Sequence, residues 1–347
     1  MRATLRIDLA ALAANWKALD RLSGPAVETG AVVKADGYGL GMAEVAPVLR
    51  GAGARSFFVA LAEEAAELRP LIGEDDLIYV LNGYMPGDAA PLKEGRAVPV
   101  LVSVEQIDRF KAEMQGYAYG LQIDSGMNRL GLEPQDFAAT LTRLPPFQPP
   151  RLVMSHLACA DQAVHPLNAM QLATFSTLAA TFPASTKSLA ATGGTMLGAP
   201  YHFGLTRPGI GVYGGLPYSN AKPVVAMDLP VLQVRTVLQG EIIGYGATWT
   251  APGRRRIATV SGGYGDGIFR SLSNRGALYA GETRCPIVGR ISMDTISVDV
   301  TDLGGEVPDT LELIGAHQTL DALAKDAGTI GYEVLTDLGR RYQRAYV

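Results

Sequence analysis

One lysine stands between a short apolar run and a glycine-rich turn. Lys34 lies in the segment VVKADGYGLG (residues 32–41), directly after the apolar run 31–33. Such a run is typical of a buried β-strand, so the lysine is predicted at the C-terminal end of that strand. A lysine buried there is unfavourable unless it is neutral, paired or covalently modified. Lys34 is therefore a candidate Schiff-base lysine, and a surface lysine extending from a turn is the alternative.

Further segments place an arginine, a histidine or a tyrosine close to glycine or proline. They are DSGMNRLG (124–131) with Arg129, MSHLACAD (154–161) with His156, RPGI (207–210) with Arg207, and GYGATW (244–249) with Tyr245. Arginine matches a carboxylate or phosphate in charge and geometry. Taken singly, these segments have structural alternatives, such as Arg207 in a surface ion pair and Tyr245 packed beside a turn.

Short apolar runs alternate with helix-type segments over residues 31–213. Nearly continuous apolar strands between helices indicate parallel strands that are buried on both faces. Eight such units favour a (β/α)8 barrel of TIM type over an open doubly wound sheet, and they place Lys34 at the face where barrel active sites lie. The predicted strands are 31–33, 57–60, 77–81, 98–102, 119–124, 152–156, 188–191 and 209–213, and the predicted helices are 42–50, 63–71, 104–113, 136–144 and 166–182.

The pattern changes after Tyr213. A turn-rich stretch, GGLPYSNAKP (214–223), precedes strand-type runs without helices between them, which indicates a mostly antiparallel β domain. We therefore predict two domains, a barrel over 9–220 and a β-rich domain over 221–347. A strand at 4–8, before a helix at 9–22, could pair with either domain. The strands predicted in the second domain are 231–238, 257–260, 276–279, 287–289, 295–300 and 310–314, with one helix at 320–327.

Composition excludes several classes of protein. The 347 residues are 48% hydrophobic and 18% charged, which provides for a large buried core. A net charge of −4 without a dense lysine and arginine tract gives no reason to expect nucleic-acid binding. Cys159 and Cys285 form neither a metal motif nor a disulfide framework. There is no apolar signal segment and no run long enough to cross a membrane, so we expect a cytoplasmic protein without metal, nucleic-acid or membrane partners.

Taken together, the motifs resemble those of bacterial alanine racemases. VVKADGYGLG resembles the pyridoxal-phosphate-lysine signature of that family, DSGMNRLG resembles its Asp-Thr-Gly-Met-x-Arg-Leu-Gly segment, and MSHLACAD matches its His-Phe-Ala-Cys-Ala-Asp block. RPGI, GYGATW, GYGDG (263–267), GRISMD (289–294) and GYEV (331–334) follow in the family's order. The resemblance implies a fold-type III isomerase, with a barrel that binds pyridoxal 5′-phosphate and a following β domain. It also implies a cytoplasmic homodimer that interconverts L- and D-alanine, which supplies D-alanine for peptidoglycan.

The resemblance implies a two-base mechanism. The α-hydrogen of alanine is too weakly acidic for a side chain alone, and an imine to the cofactor delocalises the carbanion. Lys34 would hold the cofactor and serve the D face, and Tyr245 of the partner subunit would serve the L face in a shared active site. The Tyr245 hydroxyl would be partnered by His156, which is linked onward to Arg207. Arg207, which stays charged, would face the pyridine nitrogen and leave it unprotonated.

Phosphate contacts also follow from the resemblance. They are the backbone N–H groups of Gly209 and Ile210 and the hydroxyls of Tyr38 and Thr192. Glycine permits a close approach of the backbone, and oriented N–H groups at a barrel mouth suit an anion. Thr192 stands where the family usually has serine, so the hydroxyl is retained.

Substrate contacts are implied at Arg129 and Met293. Arg129 would bind the alanine carboxylate, and the backbone N–H of Met293 would add a donor. Without the motif, Met293 would be assigned to a core. Tyr264 either narrows the substrate entrance or packs as a structural residue.

Two positions depart from the family's pattern. Many members have a carbamylated lysine two residues before the aspartate of the Arg129 segment, and this chain has Gln122 there. Glutamine cannot be carbamylated, so the negative charge that usually orients Arg129 is absent or replaced. A gate tyrosine near the C-terminus aligns with Arg340, while Tyr342 lies two residues later, and neither is assigned that role.

Other functions compete with this interpretation. Another barrel enzyme with the same cofactor, such as an amino-acid decarboxylase or a D-threonine-aldolase-like enzyme, would share the lysine but not the GYGATW and GRISMD blocks. A pyridoxal-phosphate homeostasis protein resembles a barrel alone, and the predicted second domain argues against it. A racemase of broad specificity remains open.

Overall fold

The computed structural model of the protein describes residues 3–146 and 148–347. The chain divides into two compact units. The barrel unit consists of Leu12–Val212 and Pro217–Asn220. The β unit consists of the residues up to Ala11, Tyr213–Leu216 and Ala221–Val347.

Strands and helices are named in chain order over the described residues. The strands are β1 (Thr4–Ile7), β2 (Glu28–Thr29), β3 (Ala31–Val32), β4 (Ser56–Val59), β5 (Leu77–Val80), β6 (Val98–Leu101), β7 (Gly120–Gln122), β8 (Leu152–Met154), β9 (Thr186–Ser188), β10 (Leu205–Thr206), β11 (Val225–Val237), β12 (Ile242–Ile243), β13 (Trp249–Thr250), β14 (Arg255–Ser261), β15 (Ala277–Ala280), β16 (Thr283–Pro286), β17 (Thr295–Asp299), β18 (Thr310–Ile314) and β19 (Gln343–Tyr346). The helices are α1 (Leu9–Ser23), α2 (Lys34–Tyr38), α3 (Met42–Ala52), α4 (Ala62–Leu68), α5 (Ala89–Gly95), α6 (Val104–Glu113), α7 (Phe137–Leu141), α8 (Pro166–Ala179), α9 (Thr192–Met196), α10 (Leu320–Ala327) and α11 (Gly331–Asp337).

Parallel strands form the barrel unit. Strands β3 to β9 are hydrogen-bonded in chain order, with helices between successive strands. The first strand of the barrel is split at Gly30, so that β3 pairs with β4 while β2 pairs with β10. The sheet closes between β9 and β10, where the Gly204 amide donates to Lys187 (3.1 Å) and the Arg207 amide donates to Ala190 (2.8 Å). A parallel barrel with alternating helices is the predicted fold class.

A core of apolar strands fills the barrel. All residues of β4 and β6 are buried, as expected for parallel strands covered on both faces. Gly30 is required beside this core, because a Cβ there would come within 2.8 Å of the Phe58 ring. The Trp16 indole on α1 donates to the Gly30 carbonyl (3.0 Å), which fastens that helix to the split strand.

The eighth barrel strand was predicted at the wrong place. Residues 209–213 are buried but form a turn, and the strand is Leu205–Thr206. The amides of Gly209 and Gly211 donate to the Thr192 hydroxyl (3.0 and 3.3 Å). Because these donors are satisfied by a side chain, the segment needs no strand partner.

Mostly antiparallel strands form the β unit. One sheet has the order β16-β15-β18-β11-β1-β19, and β14 and β17 extend from β11. Strand β1 pairs antiparallel with β11 and parallel with β19, so the strand near the N-terminus belongs to this unit. The long strand β11 pairs with β1 and β18 over its first part and with β14 over its second part. Its pairing is irregular around Met227 and between Val231 and Gln233.

Several predicted elements of the β unit need correction. The strand expected at 287–289 is β16, Thr283–Pro286, and Ile287 forms only an isolated bridge to Val298. A second helix, α11, follows the predicted α10, and β11 begins six residues before its predicted start. Pro230 obscured that start, because proline lacks the donor that a ladder needs. The ladder to β18 continues past the proline, because the Val231 amide donates to the Asp309 carbonyl (2.8 Å).

Over the described residues, no helix is both long enough and apolar enough to span a bilayer.

Candidate active site

A left-handed turn presents Lys34 at the end of strand β3. The α2 segment contains three non-glycine residues with positive φ, namely Ala35 (54°), Asp36 (54°) and Tyr38 (56°). This conformation is unfavourable for residues with a Cβ. The turn is closed by the Gly37 amide, which donates to Val33 (2.9 Å), and by the Met42 amide, which donates to the Asp36 carboxylate (2.7 Å). The chain therefore forms a closed left-handed turn directly after the lysine.

Glu64 at the start of α4 fastens this turn. Its Oε1 accepts from the Ala35 amide (2.6 Å), and its Oε2 accepts from the Ala60 and Leu61 amides (2.7 and 3.1 Å). One carboxylate thus joins the turn beside Lys34 to the end of the neighbouring strand. Sequence reasoning missed this residue, although a glutamate at the third position of a helix is a known capping signal.

The electrostatic surroundings of Lys34 favour its neutral form. Burial and the positive charge of Arg129 lower the pKa of the ammonium group, and the charge of Glu64 raises it. Because the net direction is downward, a larger fraction of the amine is unprotonated at a given pH. An unprotonated amine is the nucleophilic form.

Arg207 and His156 lie in the same charged cluster. Arg207 is buried, donates to the Ser155 carbonyl (2.7 Å) and to the Ser188 hydroxyl, and lies 5.9 Å from the centroid of the Phe58 ring. Burial lowers its pKa to about 9, which leaves it charged at neutral pH. Desolvation of the His156 ring, together with the charges of Arg207, Arg129 and Lys34, lowers the pKa of His156 to about 3. The ring is therefore neutral.

The predicted phosphate contacts converge in the barrel unit. Tyr38, Thr192, Gly209 and Ile210 are all buried, and the Gly209 amide donates to the Thr192 hydroxyl (3.0 Å). A Cβ on Gly209 would overlap the Tyr38 hydroxyl, so only glycine allows this approach. Two hydroxyls and a backbone donor thus meet at one point, which suits an anion.

A closed loop carries Arg129. Asp124 Oδ1 accepts from the amides of Gly126, Met127 and Asn128 (2.8, 2.9 and 3.2 Å). The buried Gln122 donates to the Leu130 carbonyl (2.9 Å), next to Arg129, whose side chain is exposed. A neutral amide therefore fastens the end of this loop.

Tyr245, Tyr264 and Met293 lie on adjoining exposed loops of the β unit. Tyr245 is 72% exposed at the tip of the β12–β13 hairpin, and Met293 and Tyr264 are also exposed. The Met293 carbonyl accepts from the Gly265 amide (2.9 Å), and the Ser292 carbonyl accepts from the Tyr264 amide (3.0 Å). The loops of Tyr264 and Met293 are thus joined by backbone hydrogen bonds. The Tyr245 loop adjoins the segment before Met293, because a Cβ on Gly246 would lie 2.9 Å from the Arg290 guanidinium.

Arg341 clamps the two loops that carry Tyr264 and Met293. It donates to both carboxylate oxygens of Asp266 (2.7 and 2.8 Å) and to Asp294 (2.7 Å). Sequence reasoning did not single out Arg341, because its partners are more than 40 residues away in the chain. Of the two gate candidates, Arg340 is exposed, whereas Tyr342 is buried and donates to the Asp266 carbonyl (2.7 Å).

Fold and site together define a class of protein. A parallel barrel that presents a desolvated lysine beside buried hydroxyl donors and a buried arginine belongs to enzymes that attach a carbonyl cofactor covalently. Comparison with known proteins gives the family. The N-terminal domain description of alanine racemase matches residues 7–217, and the C-terminal domain description matches residues 224–346. The chain belongs to the alanine racemase family, whose members are isomerases that depend on pyridoxal phosphate.

Individual relatives match over the whole chain. The alanine racemase of Cereibacter sphaeroides is 54% identical over 344 residues, which cover 99% of this chain and 98% of that protein. A crystal structure of the Bartonella henselae alanine racemase with covalently bound pyridoxal phosphate is 37% identical, with a TM-score of 0.93 and full coverage of both chains. The biosynthetic alanine racemase of Pseudomonas aeruginosa is 35% identical, with a TM-score of 0.92 and coverage of 100% and 99%. The predicted family and fold class are confirmed.

Proposed function

We propose that this protein interconverts L- and D-alanine with pyridoxal 5′-phosphate bound through Lys34. The observation that carries the proposal is the position of Lys34, which follows a barrel strand and whose pKa is lowered by burial and Arg129. A neutral lysine can form a covalent bond to the cofactor's aldehyde and can also accept a proton.

The residues of the barrel unit fit this cofactor. The Tyr38 and Thr192 hydroxyls and the backbone around Gly209 and Ile210 offer donors to a phosphate group. The Gly209 amide would then share its hydrogen bond between Thr192 and the phosphate. Arg207, held by Ser155 and Ser188, offers a charged donor to the pyridine nitrogen. When bound, the cofactor would delocalise the negative charge left at the α-carbon.

Two bases would move the proton. Lys34 takes or returns it on the D face of the substrate, and Tyr245 does so on the L face. A protonated tyrosine hydroxyl must pass its own proton to an acceptor before its oxygen can act as a base. The neutral ring of His156 supplies one, because burial and, after it, the charges of Arg207 and Arg129 keep that ring from becoming protonated.

Arg129 and Met293 would bind the substrate carboxylate. The exposed guanidinium of Arg129 offers charge and paired donors. The loop of Met293 is fixed through Asp294 and Arg341, which supports a defined position for its backbone N–H. Tyr264 would narrow the entrance from the adjoining loop.

A homodimer with shared active sites is part of the proposal. Tyr245 is strongly exposed, and the same unit exposes a group of apolar side chains on β11, on the turn after it and on the β12–β13 hairpin: Leu232, Val234, Leu238 and Ile242. An exposed apolar group of this kind is typical of a subunit interface. A two-fold dimer would bury it on both chains and bring Tyr245 of the partner subunit to the cofactor. The enzyme would act in the cytoplasm and supply D-alanine for peptidoglycan.

A panel of amino acids assayed by chiral chromatography tests the reaction. We expect racemisation of alanine in both directions and little turnover of larger amino acids. Comparable rates across the panel would indicate a racemase of broad specificity, and no turnover of alanine would contradict the proposal.

Cofactor attachment has its own test. Borohydride reduction followed by peptide mapping should locate the cofactor on Lys34, and Lys34→Ala should abolish racemisation in both directions. Lys187, whose ammonium donates to three backbone carbonyls, serves as a control lysine. Modification of any lysine other than Lys34 would overturn the assignment.

A further inference from the structure

A buried glutamine on helix α8 fastens the segment that carries His156. Gln171 has no exposed surface. Its Nε2 donates to the His156 carbonyl (2.9 Å) and to the Ser125 hydroxyl (3.3 Å), and its Oε1 accepts from the Ala158 amide (2.9 Å). A buried amide is costly unless its donors and acceptor are paired, and here both ends of the side chain are used.

The segment around His156 has no regular structure of its own. Strand β8 ends at Met154, and the last sheet bond in this region is the Ser155 amide to the Ser188 carbonyl (3.0 Å). Residues 156–158 belong to neither a strand nor a helix. Gln171 bonds the His156 carbonyl and the Ala158 amide, one on each side of Leu157. These side-chain bonds take the place of the strand-to-strand hydrogen bonds that end at Ser155.

The same side chain reaches the loop of Arg129 and the support of Arg207. The Ser125 and Ser155 hydroxyls are 2.7 Å apart, and Ser125 follows Asp124, whose carboxylate organises the Arg129 loop. The Ser155 carbonyl accepts from Arg207 (2.7 Å). Gln171 therefore lies at the junction of three segments that end in the charged cluster around Lys34.

We propose that Gln171 is a positioning residue that holds the His156 segment and the Ser125–Ser155 pair in one arrangement. The inference rests on the proposed role of His156 as partner of the second base. Proton transfer depends closely on distance, and a displacement of about 1 Å can cost on the order of 100-fold in rate. Loss of the three bonds would release the segment and lower turnover without removing any group that touches the substrate.

A matched pair of variants on α8 tests this role. Gln171→Met removes the three bonds while keeping a side chain of similar length. Asn168→Leu removes a second buried amide one turn earlier, where it donates to Cys159 and Gln162 (3.2 and 3.0 Å) in the following loop. Both variants should lower the melting temperature, since each removes hydrogen bonds from the interior.

Hydrogen–deuterium exchange and kinetics separate the two variants. Gln171→Met should increase exchange in peptides covering 154–158 and 124–131, and Asn168→Leu only in 159–165. We expect kcat of Gln171→Met to fall by about tenfold or more with a smaller change in KM for alanine. Asn168→Leu should retain kcat within about twofold, because its hydrogen bonds fasten the loop of Cys159 and Gln162 and not the His156 segment. Equal kcat values for both variants, or unchanged exchange at 154–158 in Gln171→Met, would overturn the proposal.

Two controls separate a positioning role of Gln171 from a failure to fold and from a failure of the proposed function. If Gln171→Met does not fold, Gln171→Glu retains the acceptor for the Ala158 amide and loses the donors to His156 and Ser125 when ionised. The same two measurements then decide, with the same expected and contrary results. Wild-type racemisation is measured first: its absence refutes the proposed function, whereas its presence with wild-type kinetics in the Gln171 variants refutes only the positioning role.

Discussion

At the scale of single residues, two groups of the barrel unit have lowered pKa values for related reasons. Lys34 and His156 are both desolvated by burial, and the positive charge of Arg129 acts on both. Desolvation and like charge each disfavour the protonated form. Both shifts favour the unprotonated forms of the Lys34 amine and the His156 imidazole, and the unprotonated form is the one that can accept a proton.

The lowered pKa of His156 predicts how stability depends on pH. Its folded-state value of about 3 lies below the ordinary 6.5, so the unfolded chain binds more protons between these pH values. The free energy of unfolding should therefore fall as the pH drops through this window, and His156→Gln should remove part of the slope, on the order of 1–2 kcal/mol between pH 6.5 and 5. Urea unfolding of the cofactor-free proteins at these two pH values measures it. Parallel pH curves for both proteins would contradict the assigned shift.

Gln122 predicts indifference to carbon dioxide. Its amide donates to the Leu130 carbonyl, next to Arg129, and no lysine at this position can be carbamylated. Stripping bicarbonate should leave both kcat and KM unchanged, whereas Gln122→Leu should raise KM for alanine more than it lowers kcat, if Arg129 contributes mainly to uniform binding. Both constants are measured at several chloride concentrations, because chloride could supply the missing negative charge. A loss of activity without carbon dioxide would show that a carbamate forms elsewhere.

At the scale of elements, the left-handed turn after β3 is the feature that sets the direction of Lys34. Its three non-glycine residues with positive φ are unfavourable locally. The carboxylate of Glu64 offsets part of that cost by bonding the Ala35 amide while it also caps α4. The turn therefore depends on a helix that lies about 30 residues further along the chain.

Substitution of Glu64 tests that dependence. Glu64→Gln retains one acceptor oxygen where three amides now donate, and it removes the negative charge that strengthens these bonds. Because the three amides are exposed or partly buried, we expect a loss of about 1 kcal/mol in the free energy of unfolding and weaker retention of the cofactor during dialysis. Glu63→Gln, at the exposed neighbouring position, is the matched control and should change stability by less than about 0.5 kcal/mol. The same loss in both variants would show that only charge, and not the three bonds, is involved.

At the scale of the whole molecule, the proposed bases lie in different compact units. Lys34 belongs to the barrel unit and Tyr245 to the β unit. The proposed sharing between two chains would give Tyr245 a function consistent with its strong exposure. It would also make activity a property of the dimer.

Mixing two inactive variants tests the shared site. Lys34→Ala chains lack one base, Tyr245→Phe chains lack the other, and each homodimer should be inactive. In a heterodimer, one site combines an intact Lys34 with an intact Tyr245 from the other chain, so a randomly exchanged mixture should recover about one quarter of wild-type activity. Subunit exchange is verified by mass spectrometry of differently tagged chains. No recovery despite demonstrated exchange would contradict a shared site.

Much of the fold could be predicted from the chain alone. Apolar runs of strand length between amphipathic segments gave seven barrel strands near their observed places, and helices α6 and α10 with their observed bounds. These are local signals, since hydrophobic periodicity and capping residues act within a few positions. Lys34, Arg129, His156 and Arg207 could be selected as candidates because each lies in a short distinctive segment.

The tertiary structure decided what local signals could not. Residues 209–213 are as apolar as a strand, but their amides bond the hydroxyl of Thr192, and the eighth strand is Leu205–Thr206 instead. The supports at Glu64, Gln171 and Arg341 join segments that are far apart in the chain. Their roles depend on which backbone groups lie without a partner after folding, and no local pattern carries that information. The residue types in the sequence thus determined which chemistry is available. Long-range hydrogen bonding determined how the residues that carry this chemistry are positioned.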